Sequence, residues 1–209
     1  MEEIIPALRF NILTPLFDFF CKIVGFGKSY RRKIISKLPI KLEKEVVLDA
    51  GCGSGSLAID VKKKFKEISL YAIDADTKIL EIADKKAKRE DLQIKFKKAF
   101  LQNLPFSDNS VDLVYSSLVF HHLNSEIKKE AMKEIYRVLK KGGRFLLVDF
   151  GKPTNKLFSV LSLFTILFEE GYDNYKGKIP EMLSCAGFSK VVEIGRYRFN
   201  MVFLEAIKK

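Results

Sequence analysis

The sequence predicts an α/β fold: a doubly wound, mostly parallel seven-stranded sheet that ends in an antiparallel hairpin. Three observations predict it. Short apolar runs alternate with segments of helical periodicity between residues 45 and 150, which is typical of a parallel sheet covered by helices on both faces. A glycine-rich turn joins the first apolar run to the helical segment after it. Only a short bend separates the last two strand-like segments, which allows antiparallel pairing alone.

The periodicity also places the individual elements. Two helices are predicted within residues 4–37, with a break near Pro15, and the second runs over residues 30–38. Further helices are predicted over residues 57–65, 77–89, 125–140, 156–168 and 178–186. Strands are predicted over residues 46–48, 68–73, 92–97, 111–115, 144–150, 190–196 and 199–207. Asp76 or Thr77 is expected to begin the helix at 77–89, and Gly142-Gly143 to close the helix at 125–140.

Composition and charge limit the function classes. Hydrophobic residues make up 47% and charged residues 30% of the 209 residues, which excludes a disordered chain. The net charge of +11 is scattered along the chain, so solvated helix faces explain it better than one nucleic-acid or membrane patch. Cys21, Cys52 and Cys185 form no CxxC pair, which argues against a zinc site or a disulfide framework. The same cysteine pattern fits a reducing cytosol, so a cytoplasmic protein is expected. The apolar runs at 12–20 and 158–168 are shorter than the roughly 18 residues that a spanning helix needs.

The glycine-rich turn is the strongest candidate for a binding site. It reads Asp49-Ala50-Gly51-Cys52-Gly53-Ser54-Gly55 and lies between a predicted buried strand and a helix. Glycines allow a sharp turn and a close approach of ligand to backbone, and the helix start offers free N–H groups. Asp74 ends the next strand, at the edge of the sheet where a carboxylate can bind a ribose. Nicotinamide-binding proteins use the same arrangement, so these residues alone leave the nucleoside undecided.

The spacing of this turn carries a family resemblance. Asp49-x-Gly51-x-Gly53-x-Gly55 differs from the GxGxxG of dinucleotide folds and is similar to the first motif of the class I S-adenosylmethionine-dependent methyltransferases. Stretches at residues 103–114, 116–123, 137–144 and 181–188 also resemble this family, and together they span most of the chain. The sequence is identified as a member, most similar to the methyltransferase type 11 or ubiquinone/menaquinone C-methyltransferase-like branch.

The resemblance implies a single methyltransferase domain over residues 1–209 with a Rossmann-like fold. Residues 1–40 form a helical cover, 45–150 a cofactor-binding core, and 154–209 the substrate-side helices and terminal hairpin. The implied cofactor is S-adenosyl-L-methionine, and the implied partner is a small-molecule methyl acceptor. The implied cofactor-binding residues are Asp49, Ala50, Gly51, Gly53, Ser54, Asp74, Ala75, Phe100, Leu101 and Ser116.

The implied roles leave alternatives open. Asp49 and Ser54 lie near the methionine part of the cofactor, or they cap the turn. Asp74 binds the ribose, or it caps the next helix. Leu101 offers its N–H to adenine, and Ser116 follows the fourth strand beside the methionine part. Phe100 departs from the pattern, because relatives carry an Asp there that binds the adenine amino group; it either packs on the purine or fills core.

Candidate catalytic residues are the two histidines, His121 and His122, which follow the fourth predicted strand. Methyl transfer needs a general base only if the attacking atom carries a proton, and histidine suits that task near neutral pH. The alternative is that one histidine caps or packs the helix starting at Ser125 while the other faces solvent. No metal site is predicted, since the pair stands alone.

The predicted acceptor is small and apolar or aromatic. The apolar segment 158–168 is expected to lie over the acceptor, joined by Phe10, Phe17, Tyr172 and Tyr175. Core packing of a covering helix, or a peripheral contact with a membrane surface, explains the same segment. Two other functions are weighed against this one. The basic charge allows an RNA or DNA methyltransferase, and the Phe100 departure allows a non-catalytic cofactor-binding protein.

Overall fold

The computed structural model describes residues 27–41, 44–154, 170–198 and 200–209. The chain divides into two compact units, residues 1–99 and 100–209. The first unit contains α1 (Lys28–Lys37), β1 (Val46–Ala50), α2 (Ser56–Lys64), β2 (Ser69–Asp74), α3 (Thr77–Arg89) and β3 (Lys95–Lys98). The second contains β4 (Val111–Ser117), a 3₁₀ helix (Phe120–His122), α4 (Ser125–Val138), β5 (Leu139–Phe150), α5 (Tyr172–Lys176), α6 (Ile179–Cys185), β6 (Lys190–Tyr197) and β7 (Met201–Ile207). The first predicted N-terminal helix and the helix predicted at 156–168 lie outside the described residues.

The strands form one seven-stranded mixed sheet. Within the first unit, β2 pairs in parallel with both β1 and β3. Within the second unit, β4 and β5 are parallel, while β7 is antiparallel to both β5 and β6. The predicted fold class, a mostly parallel sheet that ends in an antiparallel hairpin, is confirmed. In the part of the chain that the structure describes, no helix is long and apolar enough to span a membrane.

Helix α3 shows why the first unit folds as its sequence predicts. Its buried residues recur at helical spacing and are Ile79, Leu80, Ala83 and Ala87. Asp76 caps the helix, since its side chain accepts a hydrogen bond from the Lys78 N–H. The strand after it begins at Lys95 instead of residue 92, because residues 90–92 close the helix: Asp91 has φ +52° and the Leu92 N–H donates to the Ala87 carbonyl.

Gly142 and Gly143 do not close a helix, contrary to the prediction. Helix α4 ends at Val138, and Leu139 is already extended, so both glycines lie within β5. The register against β4 jumps from Val111↔Leu139 to Leu113↔Arg144, which makes residues 140–143 a bulge. Gly142 has φ +75°, and a Cβ on Gly143 would lie 2.7 Å from the Lys140 carbonyl oxygen. The two glycines do mark an irregular backbone, as predicted, but they form a bulge in β5 and not the end of a helix.

A single arginine fixes the segment that leads into β4. Arg137 of α4 donates to both carboxylate oxygens of Glu134, at 2.7 and 2.9 Å, and to the Asp108 carboxylate at 2.7 Å. It also donates to the backbone carbonyls of Phe106 and Leu104. The hydrogen bond from Arg137 is the main cause that holds the pKa of Glu134 below its ordinary value. The segment is thereby attached to α4 through the backbone of Leu104 and Phe106 and the side chain of Asp108.

Arg137→Lys is expected to destabilise the protein by about 1–3 kcal/mol, because an ammonium cannot reproduce the planar fork that binds two carboxylates and two carbonyls. The free energy of unfolding, measured by urea titration, checks this. Arg196→Lys is the matched control: Arg196 forms an i,i+3 pair with Glu193 on a more exposed surface, where a loss below about 1 kcal/mol is expected. Equal losses for the two variants would contradict this account.

Candidate functional site

The turn between β1 and α2 reverses the chain through left-handed backbone conformations. Gly51, Gly53 and Gly55 have φ values of +83°, +51° and +74°, a region that residues with a Cβ rarely adopt. The N–H groups of Gly51 and Cys52 both donate to the Ile73 carbonyl, at 2.9 and 2.8 Å. The three glycines of the motif are therefore required by the backbone itself.

Asp74 closes this turn from the end of β2. Its Oδ2 accepts the Gly53 N–H at 2.9 Å, and its Oδ1 accepts the Asp76 N–H at 3.0 Å. An ionised carboxylate has about four acceptor positions, so each oxygen can accept a further hydrogen bond from a ligand hydroxyl. Burial raises the pKa of Asp74 above its ordinary value, while the two backbone hydrogen bonds act in the opposite direction. Asp76, not Asp74, caps α3, so the alternative role for Asp74 is wrong.

Two acidic residues raise the pKa of the cysteine in this turn. Asp49 lies buried in β1, two residues before the turn reaches Gly51. Burial, together with the negative charges of Asp49 and Asp74, raises the pKa of the Cys52 thiol well above its ordinary value. Cys52 therefore stays a neutral thiol beside these carboxylates.

The other predicted residues of the first unit lie beside the turn. Ala50 and Ser54 are buried, while Ala75 is half-buried. The Lys86 ammonium donates to the Ser54 carbonyl and to the Ser56 hydroxyl, both at 3.3 Å. The sequence did not single out Lys86, which reaches the turn from α3.

Three predicted cofactor-binding residues belong to the second unit. Phe100 is half-buried, and its carbonyl accepts the Asn103 N–H at 3.1 Å, which closes a turn around Leu101. Leu101 itself is buried. Ser116 is fully buried within β4, which continues to Ser117, so it does not follow the strand as the sequence suggested.

His121 of the 3₁₀ helix forms a buried pair with Asp149 of β5. Its Nδ1 lies 2.7 Å from Asp149 Oδ1, and its backbone N–H donates to Oδ2 at 3.2 Å. Burial alone would raise the pKa of Asp149, but the charge and hydrogen bond of His121, with the Phe150 N–H, hold it below its ordinary value. His122 is half-buried. Asn124 caps α4 by accepting the Ile127 N–H, so neither histidine is its N-cap.

A buried lysine lies near this pair. Lys128 of α4 is fully buried, and its ammonium donates to the Glu170 carbonyl at 2.6 Å and lies 3.7 Å from the Asp173 carboxylate. Burial lowers the pKa of Lys128, while the charges of Asp173 and Asp149 act in the opposite direction. Ser125 also donates to Asp173. Sequence reasoning missed Asp149 and Lys128, although Asp149 stands out as the acidic residue in the apolar run Phe145–Phe150.

Comparison with known proteins places the chain in a family. The family described as a methyltransferase domain matches residues 47–143. A demethylmenaquinone methyltransferase of Lactobacillus johnsonii is 29% identical over 88% of this chain and 84% of its own length. A ubiquinone/menaquinone biosynthesis C-methyltransferase of Rickettsia felis is 37% identical over 71% of this chain, which covers 62% of that relative. The chain belongs to the class I S-adenosylmethionine-dependent methyltransferases.

The fold comparison agrees with the predicted fold. The crystal structure of a putative S-adenosylmethionine-dependent methyltransferase from Methanococcus maripaludis superposes with a TM-score of 0.70 at 23% identity, over 100% of this chain and 97% of the other. The predicted family, the Rossmann-like methyltransferase fold, the enzyme class and the methyl donor are confirmed. The single-domain organisation and the role of each site residue in this methyltransferase stay predictions.

The structure describes two of the residues that were predicted to lie on the acceptor side, Tyr172 and Tyr175. Phe10, Phe17 and the segment 158–168 lie outside the described residues. Tyr172 is 52% exposed, and the ammonium groups of Lys176 and Lys178 each lie 5.5 Å from its ring centroid. Tyr175 is half-buried.

Among the residues that the structure describes, no group of three or more His, Cys, Asp or Glu side chains is arranged to hold a metal ion.

Gly55→Ala is expected to destabilise the methyltransferase more than Gly142→Ala. Both glycines have φ near +75°, which costs an L-residue about 1–2 kcal/mol. A Cβ on Gly55 would also lie 2.8 Å from the Ala83 Cβ, whereas one on Gly142 would meet nothing within 4 Å. Overpacking adds roughly 1–3 kcal/mol at Gly55 alone. Free energies of unfolding from urea titration check the difference, and equal losses would refute the close packing of the turn.

Proposed function

We propose that this methyltransferase binds S-adenosylmethionine against the turn at residues 51–55 and transfers its methyl group to a small apolar, aromatic acceptor. The observation that carries the proposal is the Asp74 carboxylate, which accepts the Gly53 N–H and retains capacity for ligand hydroxyls. Because glycine has no Cβ, Gly51 and Gly53 allow a ligand to approach the backbone closely. Two carboxylates, Asp49 and Asp74, favour a cationic ligand there.

Each site residue has a separate task in this proposal. Bound S-adenosylmethionine supplies an electrophilic methyl group on sulfur. Asp74 accepts hydrogen bonds from the ribose hydroxyls, and Asp49 compensates the positive charge. Ala50, Gly51, Gly53 and Ser54 line the methionine part in the first unit, with Ala75 beside the ribose. Phe100, Leu101 and Ser116 keep the roles that the family resemblance implies: the adenine part for Phe100 and Leu101, and the methionine part for Ser116.

A proton must leave the acceptor whenever a ring carbon or a hydroxyl is methylated. We assign its removal to the histidine pair, His121 and His122. A positioned imidazole that accepts a proton in the transition state contributes about 10²–10⁴-fold to the rate. His121 is the better supported of the two, since the Asp149 carboxylate lies 2.7 Å from its ring and can balance an imidazolium.

The proposed acceptor class is a quinol with an apolar side chain. The relatives from Lactobacillus johnsonii and Rickettsia felis are named for demethylmenaquinone and for ubiquinone/menaquinone biosynthesis. The apolar sequence of residues 158–168 and the 18 phenylalanines agree with an apolar acceptor. We propose a cytoplasmic enzyme with peripheral membrane contact, supported by the free thiols of Cys52 and Cys185 and by the solubility of such acceptors in lipid.

Asp74→Asn is expected to weaken S-adenosylmethionine binding about 10–100-fold at pH 7, since a hydrogen bond to a charged group contributes about 1.5–3 kcal/mol. In the wild type, affinity should also fall as the pH drops through the raised pKa of Asp74, because the protonated acid loses acceptor capacity. This loss should begin at a higher pH than for an exposed Asp. Isothermal titration calorimetry between pH 7 and 4 checks both statements.

Asp76→Asn is the control, because Asp76 lies two residues after Asp74 and an amide oxygen can still cap α3. Its affinity should equal that of the wild type. An Asp74→Asn variant that binds as tightly as the wild type, with the same pH dependence, would contradict the ribose assignment.

Methyl transfer is expected to a prenylated demethylmenaquinol in detergent micelles, and kcat/KM should rise about tenfold or more when an isoprenyl unit is added to the bare naphthoquinol. Each buried CH₂ contributes about 0.8 kcal/mol, so a partly buried unit suffices. Transfer of radioactive methyl groups, followed by product extraction, measures this. Transfer to RNA with none to the quinol series would contradict the acceptor class, and binding without turnover on any acceptor would identify a non-catalytic protein.

A further inference from the structure

The buried carboxylate of Asp149 determines which nitrogen of His121 carries a proton. An ionised carboxylate only accepts hydrogen bonds, so the 2.7 Å contact between Asp149 Oδ1 and His121 Nδ1 requires a proton on Nδ1. In the neutral ring, Nε2 is then the basic atom. Asp149 is itself held in place, because its Oδ1 also accepts the Phe150 N–H at 2.7 Å and its Oδ2 accepts the His121 N–H.

Two aromatic contacts hold the plane of the His121 ring. The Phe150 ring lies edge-on, with centroids 4.9 Å apart and an interplanar angle of 80°. The His122 ring lies 4.0 Å away at 40°. With Nδ1 fixed by Asp149 as well, His121 is restrained in both tautomer and orientation. His122 acts in this arrangement as a packing partner of that ring.

The charges around this pair explain how a carboxylate stays ionised there. Lys128 of α4 is fully buried, and Asp149 acts on its charge from β5. Asp173 of α5 lies 3.7 Å from Lys128, and the Lys178 ammonium lies 3.8 Å from Asp173. Two carboxylates thus face two ammonium groups. A proton taken up by His121 would add a positive charge directly beside the Asp149 carboxylate.

We propose that Asp149 is a positioning residue for methyl transfer: it fixes His121 as the Nδ1–H tautomer, so that Nε2 is the atom that accepts the acceptor's proton. The catalytic half of this inference rests on the proposed function, because it requires an acceptor that loses a proton. The structural half, the tautomer of His121, does not depend on any acceptor. The two halves can therefore fail separately.

The tautomer is tested on the wild-type protein by ¹⁵N NMR of the imidazole nitrogens. The chain contains only two histidines, and the spectrum of His122→Gln assigns His121. We expect neutral His121 to show a protonated Nδ1 and an unprotonated Nε2. A protonated Nε2 would overturn the proposal whether or not the enzyme turns over any substrate.

The positioning role is tested with Asp149→Asn, whose amide has the size of the carboxylate but no longer fixes the tautomer. We expect mixed tautomers of His121 and a kcat lower by about 10²-fold or more, with an unchanged Kd for S-adenosylmethionine. Asp112→Asn is the control: it removes a half-buried carboxylate that pairs with Lys140 at 2.8 Å in the same unit, and should keep the wild-type kcat.

Wild-type kcat in Asp149→Asn would overturn the positioning role even if the tautomer is as expected. An equal fall of kcat in Asp112→Asn would also overturn it, since the loss would then follow from stability. Circular dichroism monitors folding of both variants. If Asp149→Asn does not fold, the wild-type spectrum decides the tautomer alone. A tautomer as expected, with no turnover on any acceptor by the wild type, would contradict the proposed function and leave the structural half standing.

Discussion

The candidate cofactor site depends on one constraint: the chain between β1 and α2 must turn through left-handed conformations while it stays attached to β2. Glycine satisfies the first part, because other residues lose about 1–2 kcal/mol in that region. Hydrogen bonds to the Ile73 carbonyl and the Asp74 carboxylate satisfy the second part. Asp74 therefore supports the turn and, in the proposed function, binds the ribose. In that proposal one side chain serves both loop geometry and ligand recognition.

The second unit places a different demand on its fold, because it buries several charges. Lys128, Asp149 and Asp173 are all buried, and each is compensated by hydrogen bonds or an opposite charge from another element. An unpaired buried charge costs several kcal/mol, so such groups are retained only where the compensation is complete. Lys128 and Asp173 attach α4 to α5, and Asp149 attaches β5 to the 3₁₀ helix. The Asp149 contact also fixes the ring of His121, on which the proposed proton transfer depends.

The sequence predicted most elements because their periodicity and caps are local. Helix α3 was predicted over its observed bounds, since a buried stripe and the Asp76 cap both lie within it. The predicted end of α4 was wrong, because Gly142 and Gly143 form a bulge of β5 against β4, which no local pattern reveals. The single-turn α5 was missed because five residues are too short for a periodic signal. The errors therefore lie where a distant strand decides the backbone or where an element is too short for a periodic pattern.

The sequence by itself determined the family, the fold class and the turn at residues 51–55. Those features depend on residues that are adjacent in the chain, where glycine spacing and an acidic strand end can be recognised directly. Only the tertiary structure brought Asp149 into contact with His121, which lies 28 positions earlier in the chain. It also placed Lys128, 21 positions before Asp149, where the charge of Asp149 acts on it. Burial and pairing over such distances arise from packing. Packing decides which of the many aspartates and lysines of the chain loses its hydration and gains a partner.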